Sequence, residues 1–391
     1  MINFDQASSS FPKAPPVPEA VYRYLKEGAF NLGRGDYQAA SSIAETVYNC
    51  RLQLARLVGL EDPRQVILNA GITYSLNQIV LALIEPGDTV LCSSMEHNSV
   101  LRPLNQQKAA QTVIIEADSE GFIPAESLEA KLLELEEKGQ KPKAAFFTAA
   151  SNVSGTIQDL ASMGKILKKY GVYFIVDSAQ ALGSCDLDIT KLQAQAICFT
   201  AHKGLLGPQG LGGVFLDKEF ASILKPVIAG GTGSFSQSLQ MPDNLPDRFE
   251  AGTLNLPAIA GLNAALSWLL EADKLEQIQA HKNELKNEFI AGIEELNCPE
   301  FEILGPSDRS RQVGVVSLTT GEIDPSALAN FLAEREVLTR VGLHCAPLAH
   351  KSLGSFPQGT IRFSFGYANS KSEITKVCEY IREYLEVHDA I

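Results

Sequence analysis

Nowhere in the chain does an apolar segment approach the length of a membrane span, and the first residues, Met1-Ile-Asn-Phe-Asp-Gln, carry neither a basic nor an apolar leader region. These absences lead to the expectation of a cytoplasmic protein. Positive charge is in deficit: 33 Lys and Arg stand against 46 Asp and Glu, a formal net charge of -13. That counts against nucleic acid as the main partner and against an anionic membrane surface, though not against a small anion held locally. No CxxC pair occurs among the seven cysteines, Cys50, Cys92, Cys185, Cys198, Cys298, Cys345 and Cys378. An odd count without an export signal predicts reduced thiols rather than a disulfide framework. Internal repeats and low-complexity tracts are also missing.

What is present is an ordinary globular composition, 391 residues with 45% hydrophobic and 20% charged, enough for a large core and two domains. A proline-rich stretch, Phe11-Pro-Lys-Ala-Pro-Pro-Val-Pro, is expected to be an extended arm crossing the surface. From about Ser41, Ile43, Val47, Leu52, Leu54, Ala55 and Val58 recur at helical spacing. Short apolar runs then alternate with helical ones. The strands Val66-Ile-Leu-Asn-Ala, Thr89-Val-Leu-Cys-Ser, Thr112-Val-Ile-Ile, Ala144-Ala-Phe-Phe-Thr, Val172-Tyr-Phe-Ile-Val and Ala196 to Phe199 are separated, except between the last two, by helices over 74–83, 99–108, 124–138 and 159–170. This rhythm predicts an α/β fold: a large domain with a mostly parallel sheet covered by helices on both faces, and ligands at the carboxyl ends of the strands. Beyond a loop-rich stretch, helices over about 257–270 and 274–296 lead to a smaller C-terminal α+β domain. The boundaries expected are 15–255 for the large domain, with 1–14 and 256–391 forming an N-terminal arm plus the small domain.

Lys203 lies between the apolar run ending at Phe199-Thr and the glycine-dense turn Gly204-Leu-Leu-Gly-Pro-Gln-Gly. A lysine pressed against buried strand ends loses its charge readily, and a neutral ε-amine forms a Schiff base with a carbonyl; the alternative is a surface lysine opening a loop. Asp177 closes an apolar strand, where an unpaired carboxylate is costly and calls for a cation, such as a protonated pyridine nitrogen; otherwise it caps the next helix. Gly71, Ile72 and Thr73 form a strand-to-helix turn whose free N–H groups and helix dipole suit a phosphate, or an ordinary turn with a threonine cap. His97, after another strand, can stack on a flat cofactor or move protons, or be structural. Asn152 and Thr156 lie in a small polar loop. Cys345, in Arg340-Val-Gly-Leu-His-Cys-Ala, has Arg340 and His344 nearby to favour a thiolate, though most cysteines are inert. A zinc site from His344, Cys345 and His350 lacks supporting spacing, so no metal is expected. Arg362 projects from an apolar strand with the two-pronged geometry that grips a carboxylate, or is a partly exposed strand arginine.

Asn3-Phe-Asp-Gln-Ala-Ser-Ser-Ser, Met95-Glu-His-Asn-Ser-Val, Ser151-Asn-Val-Ser-Gly-Thr, Asp177-Ser-Ala-Gln, Thr200-Ala-His-Lys-Gly-Leu-Leu-Gly-Pro-Gln-Gly, Arg248-Phe-Glu-Ala-Gly-Thr and the Cys345 segment occur in this order. Together, over nearly the whole chain, they resemble the class V aminotransferases of pyridoxal-phosphate fold type I, and within them the cysteine desulfurase and selenocysteine lyase group. The resemblance implies pyridoxal 5'-phosphate as cofactor, joined to Lys203, with Asp177 on its pyridine nitrogen, Gln180 on its phenolic oxygen and His97 on its ring. It implies a phosphate site from Gly71, Ile72, Thr73, Thr200 and His202, and Thr253 reaching across a homodimer. Asn152, Arg340 and Arg362 would meet the substrate.

The implied activity converts L-cysteine to L-alanine, with Lys203 moving the Cα proton and Cys345 taking the sulfur as a persulfide for transfer to an acceptor protein, as in iron-sulfur cluster assembly. Alternatives are a selenocysteine lyase, a C–S β-lyase acting on cystine, or a cofactor-free scaffold. Gln6 stands where the family usually has Asn, which bears on substrate positioning, and Ile72 and Tyr74 replace polar residues beside the phosphate-type threonine.

Overall fold

Apolar strands alternating with amphipathic helices leave the chain few ways to satisfy its backbone except as a covered sheet, and this is what it forms. The computed structural model describes residues 1–27, 38–232 and 234–388. The chain opens with β1 (Ile2–Asn3), α1 (Val17–Glu27) and α2 (Gln38–Leu57). Seven strands follow, β2 (Val66–Asn69), β3 (Thr89–Ser93), β4 (Gln111–Ile115), β5 (Pro142–Thr148), β6 (Tyr173–Asp177), β7 (Ala196–Thr200) and β8 (Gly212–Leu216). They form one sheet in the order β2-β8-β7-β6-β5-β3-β4. Only β8 runs antiparallel to its neighbours. The connections carry α3 (Ile72–Leu83), α4 (Asn98–Gln106), α5 (Ala125–Glu137) and α6 (Leu160–Tyr170), and α7 (Lys218–Ile223) follows β8.

Because side chains alternate along a strand, each apolar strand feeds two cores. Leu91, Ala145, Phe147, Ile197 and Phe199 pack on one face with Leu54, Leu128 and Leu167. Val90, Cys92, Phe146, Ala196 and Cys198 pack on the other with Leu76, Val80 and Leu104. Each Leu, Ile, Val and Phe among them contributes about 1.5–3 kcal/mol on burial, the alanines less. Helix α8 (Leu256–Leu269) is capped by Asn255, whose side chain accepts from Ala258 N, and adds Ile259, Leu262 and Leu266 to the first core.

After α9 (Lys274–Glu294) come β9 (Glu302–Leu304), β10 (Val315–Thr319), α10 (Pro325–Glu334), β11 (Val337–Leu338), β12 (Arg340–Gly342), α11 (Pro347–Ser352), β13 (Thr360–Ser364) and α12 (Lys371–His388). Strands β12-β13-β10-β9 form an antiparallel sheet over a core of Leu285, Phe289, Val316, Phe363 and Ile381. No helix among the described residues is long and apolar enough to cross a membrane.

The proline-rich stretch meets its expectation over residues 11–16, which lie outside helix and strand with Phe11, Pro12 and Pro15 exposed, and departs from it only at its end. Proline is accepted in a first helical turn, where its missing N–H has no partner to lose, and α1 begins at Val17 with Pro18 inside it. The segment before the stretch is held inside the fold. β1 pairs with β11, Phe4 lies in the small-sheet core, Ala7 lies in the large-sheet core, and Ser10 N donates to His202 O at 2.9 Å. The arm is threaded between the two sheets.

Candidate active site

The carboxyl ends of β2, β3, β5, β6 and β7 lie along one edge of the large sheet, since these strands are mutually parallel. Register puts Thr148 beside Asp177, and Thr200 ends the next strand. The loops leaving these ends, together with the facing edge of the small sheet, enclose a cavity of about 260 Å³. Ile72, Thr73, His97, Asn152, Asp177, Gln180, Thr200, His202, Lys203, Arg340, Cys345 and Arg362 all line it. Twelve of the fourteen residues expected from sequence therefore meet there. Gly71 caps α3 immediately beside it. Thr253 lines a different cavity, with Arg51, Glu250 and Gly252.

The α3 end is open. Gly71, at φ +135°, caps without a side-chain bond, and nothing lies within 4 Å of where a Cβ would sit. The unpaired N–H groups of the first helical turn thus face the cavity beside Thr73, a setting for an anion. Across from it, His202 has a buried Nδ1 with no hydrogen-bond partner. Burial, then the charges of Lys203 and Lys13, push its imidazole down to about 4, so it is neutral. These groups fit a phosphate-tailed cofactor.

His97 caps α4, its Nδ1 accepting from Ser99 N at 3.0 Å. Burial holds the ring below its usual pKa, against the pull of Asp177. Asp177 is buried; it accepts from Ala179 N at 2.9 Å and from Ser99 Oγ at 3.3 Å. Desolvation lowers the Lys203 amine to about 8, with Asp177 opposing the fall and Arg362 adding to it. Gln180 Nε2 donates to Ala7 O at 3.0 Å.

Cys345 is the exposed one of the seven cysteines, all free thiols. It and His344 both have positive φ, +59° and +46°, a conformation costly for residues with a Cβ and held only by surrounding contacts. Those contacts are explicit. Asn98 N donates to Cys345 O at 2.7 Å, Asn152 Nδ2 donates to His344 O at 2.7 Å, and His344 Nε2 pairs with Thr360 Oγ1 at 2.9 Å. Desolvation drives the His344 imidazole down to about 2. On the small sheet Arg340 and Arg362 are register partners, which places both guanidinium groups on the same side of the sheet. Arg362, 3% exposed, donates through Nη1 to Asn152 O and through Nη2 to Asp5 Oδ1 and Ser8 Oγ, each at 3.0 Å.

Several participants had no assigned role in the sequence reading. Glu96 is fully buried, accepting from Ser93 Oγ at 2.5 Å and Thr148 N at 2.9 Å; desolvation raises it to about 8. Asp5, Ser8 and Ser99 enter through Arg362 and Asp177. Asp5 and Ser8 belong to the opening segment and Glu96 precedes His97, so position next to a recognised residue was the available signal. Gln6, expected to bear on substrate positioning, spends its amide inside the arm on Asn3 O, Phe11 O and Phe11 N.

The chain is similar to known proteins over nearly its whole length. The family model "Aminotransferase class-V" matches residues 2–377. A probable cysteine desulfurase of Pyrococcus abyssi is 30% identical over 399 residues, covering 99% of this chain and 94% of that protein. Cysteine desulfurase CsdA of Escherichia coli is 26% identical over 397 residues, covering 99% and 94%. The solved apo structure of a cysteine desulfurase from Thermococcus onnurineus superposes with a TM-score of 0.89 at 28% identity, covering 98% of this chain and 94% of that one.

Proposed function

The chain belongs to the class V aminotransferases, in the group that holds the cysteine desulfurases, and from that premise we propose that it converts L-cysteine to L-alanine with pyridoxal 5'-phosphate as cofactor. The observation that carries this reading is the convergence in one cavity of a lysine with a depressed pKa, a buried strand-end aspartate and an exposed cysteine.

The phosphate would rest on the N–H groups of Ile72 and Thr73 at the head of α3, beside Gly71, whose own N–H donates to Asn69 Oδ1 at 3.0 Å, with Thr200 and His202 opposite. Asp177 would pair with the pyridine nitrogen, Gln180 would face the phenolic oxygen, His97 would cover the ring, and Lys203 would be the covalent attachment point. When bound, the cofactor supplies an electron sink for charge developing at the substrate Cα. The remaining work falls to the chain. Arg362, with Asn152 and Arg340, orients the substrate carboxylate. Lys203, whose amine holds its proton less firmly than an ordinary lysine, takes the Cα proton. Cys345 accepts the sulfur: its S–S bond forms as the substrate Cβ–S bond breaks, so L-cysteine and a thiol become L-alanine and an enzyme persulfide. An exposed thiol suits onward transfer to an acceptor protein. Thr253, remote from its own chain's cavity, would complete the site of a partner subunit in a homodimer.

Reconstitution tests the reading. Protein supplied with pyridoxal phosphate should turn yellow, bleach on borohydride treatment with the label on Lys203, and release alanine from L-cysteine. A protein that takes up none of the cofactor contradicts the proposal, and so does a Cys345→Ser variant that releases alanine from L-cysteine undiminished.

A further inference from the structure

Arg362 already has an internal carboxylate. Its Nη2 lies 3.0 Å from Asp5 Oδ1 in an ion pair that is almost wholly enclosed on the arginine side. Ser8 ties the pair together: its hydroxyl donates to Asp5 Oδ1 at 2.7 Å and accepts from Arg362 Nη2 at 3.0 Å and from Arg340 Nη1 at 3.2 Å. Arg362 Nη1 is spent on Asn152 O. Nε, by contrast, is buried and makes no hydrogen bond. The guanidinium is thus clamped at its tip and left with an unused donor on its side, while the register of β12 and β13 brings a second cation, Arg340, next to it.

Two adjacent cations alone would attract any small anion, and a dianion most of all. Asp5 reduces the local charge from two positive to one, which matches a single carboxylate. We propose that Asp5, delivered by the threaded N-terminal arm, is a specificity-determining and positioning residue: it tunes the Arg362–Arg340 pair to monocarboxylate amino acids and rejects dianions. The inference rests on the reading of Arg362 as the group that grips the substrate carboxylate.

The test uses the reconstituted holoenzyme, whose phosphate site is filled, with acetate and succinate as inhibitors competing with L-cysteine. In Asp5→Asn and Asp5→Ser the preference for succinate over acetate should rise about tenfold, the order expected from removing one charge about 6 Å from the second carboxylate at an effective dielectric of about 40, between protein surface and water. KM for L-cysteine should fall, because the internal competitor is gone. Asp5→Glu, which keeps the charge, should retain the wild-type preference. An unchanged succinate-to-acetate ratio in both neutral variants, or a raised KM with that ratio unchanged, overturns the proposal and leaves Asp5 as a clip for the arm. If Arg362→Lys leaves KM and both inhibition constants unaltered, the carboxylate-grip reading itself fails, a result distinct from the Asp5 outcomes.

Discussion

The backbone carbonyl of Cys345 accepts a hydrogen bond from the backbone N–H of Asn98 at 2.7 Å. The backbone that carries the exposed thiol is therefore fastened to the first residue of α4, the helix capped by His97, although the two residues belong to opposite sheets' loops. The Cys345 turn and the start of the helix that His97 caps are thereby tied to each other.

Asn152 provides the second fastening of that turn, through its bond to His344 O. Asn152→Ala removes this bond where two positive-φ residues depend on it, as well as the substrate contact proposed for Asn152. Steady-state kinetics should show kcat/KM for L-cysteine reduced by about tenfold or more, the worth of one well-placed hydrogen bond at about 1.4 kcal/mol. An unchanged value contradicts the fastening role.

The depressed pKa of Lys203, about 8 against 10.5 for an ordinary lysine, fixes a pH dependence. The neutral, reactive form predominates above the folded-state pKa. In cofactor-free protein the rate of Schiff-base formation with pyridoxal phosphate should climb with pH to about 8 and level off there. Asp177 favours the charged amine, so Asp177→Asn should shift the plateau to lower pH. A wild-type rate still rising toward pH 10 contradicts desolvation of this amine.

Glu96 titrates in the opposite sense. Its folded-state pKa of about 8 lies above the ordinary 4.5, so the folded protein holds a proton that the unfolded chain releases. Its contribution to stability declines as pH rises from about 4.5 to about 8, with a limiting slope of about 1.4 kcal/mol per pH unit. Glu96→Gln, which cannot ionise, should lose that slope and gain on the wild type across this window in denaturant unfolding. Parallel stability curves for the two proteins contradict a protonated Glu96.

Beside Thr253, Arg51 Nη2 and Glu250 Oε2 form a buried ion pair at 2.6 Å, and Glu250 Oε1 accepts from Leu68 N at 2.6 Å. Glu250→Ala strands a buried guanidinium and should cost about 3–5 kcal/mol in unfolding free energy. A loss no greater than that of an exposed pair shows that Arg51 finds another partner.

The large sheet was legible because a parallel strand buried on both faces must be apolar throughout, as β7 is from Ala196 to Phe199. Strand ends then located Asp177 and Lys203. What the sequence pattern concealed were contacts set by threading. Pro18 looked like a helix breaker because only the fold shows that it falls in a first turn. Asp5, half-buried, and Glu96, fully buried, are charged residues whose partners come from chain segments more than fifty residues away: Asp5 pairs with Arg362, and Glu96 accepts from Thr148 N. Nothing local distinguishes such carboxylates from solvated ones. Thr253, which the resemblance assigned to a partner subunit's site, lies with residues that line a separate cavity.

The central claim is that Lys203 activates the substrate and Cys345 takes its sulfur. A single turnover of the holoenzyme with L-cysteine, stopped by acid and followed by peptide mass spectrometry, tests it directly. The account predicts one added sulfur atom on the peptide containing Cys345, in step with one alanine released and absent from Lys203→Ala. Alanine released with the Cys345 peptide unmodified, or sulfur found on another cysteine instead, would contradict it.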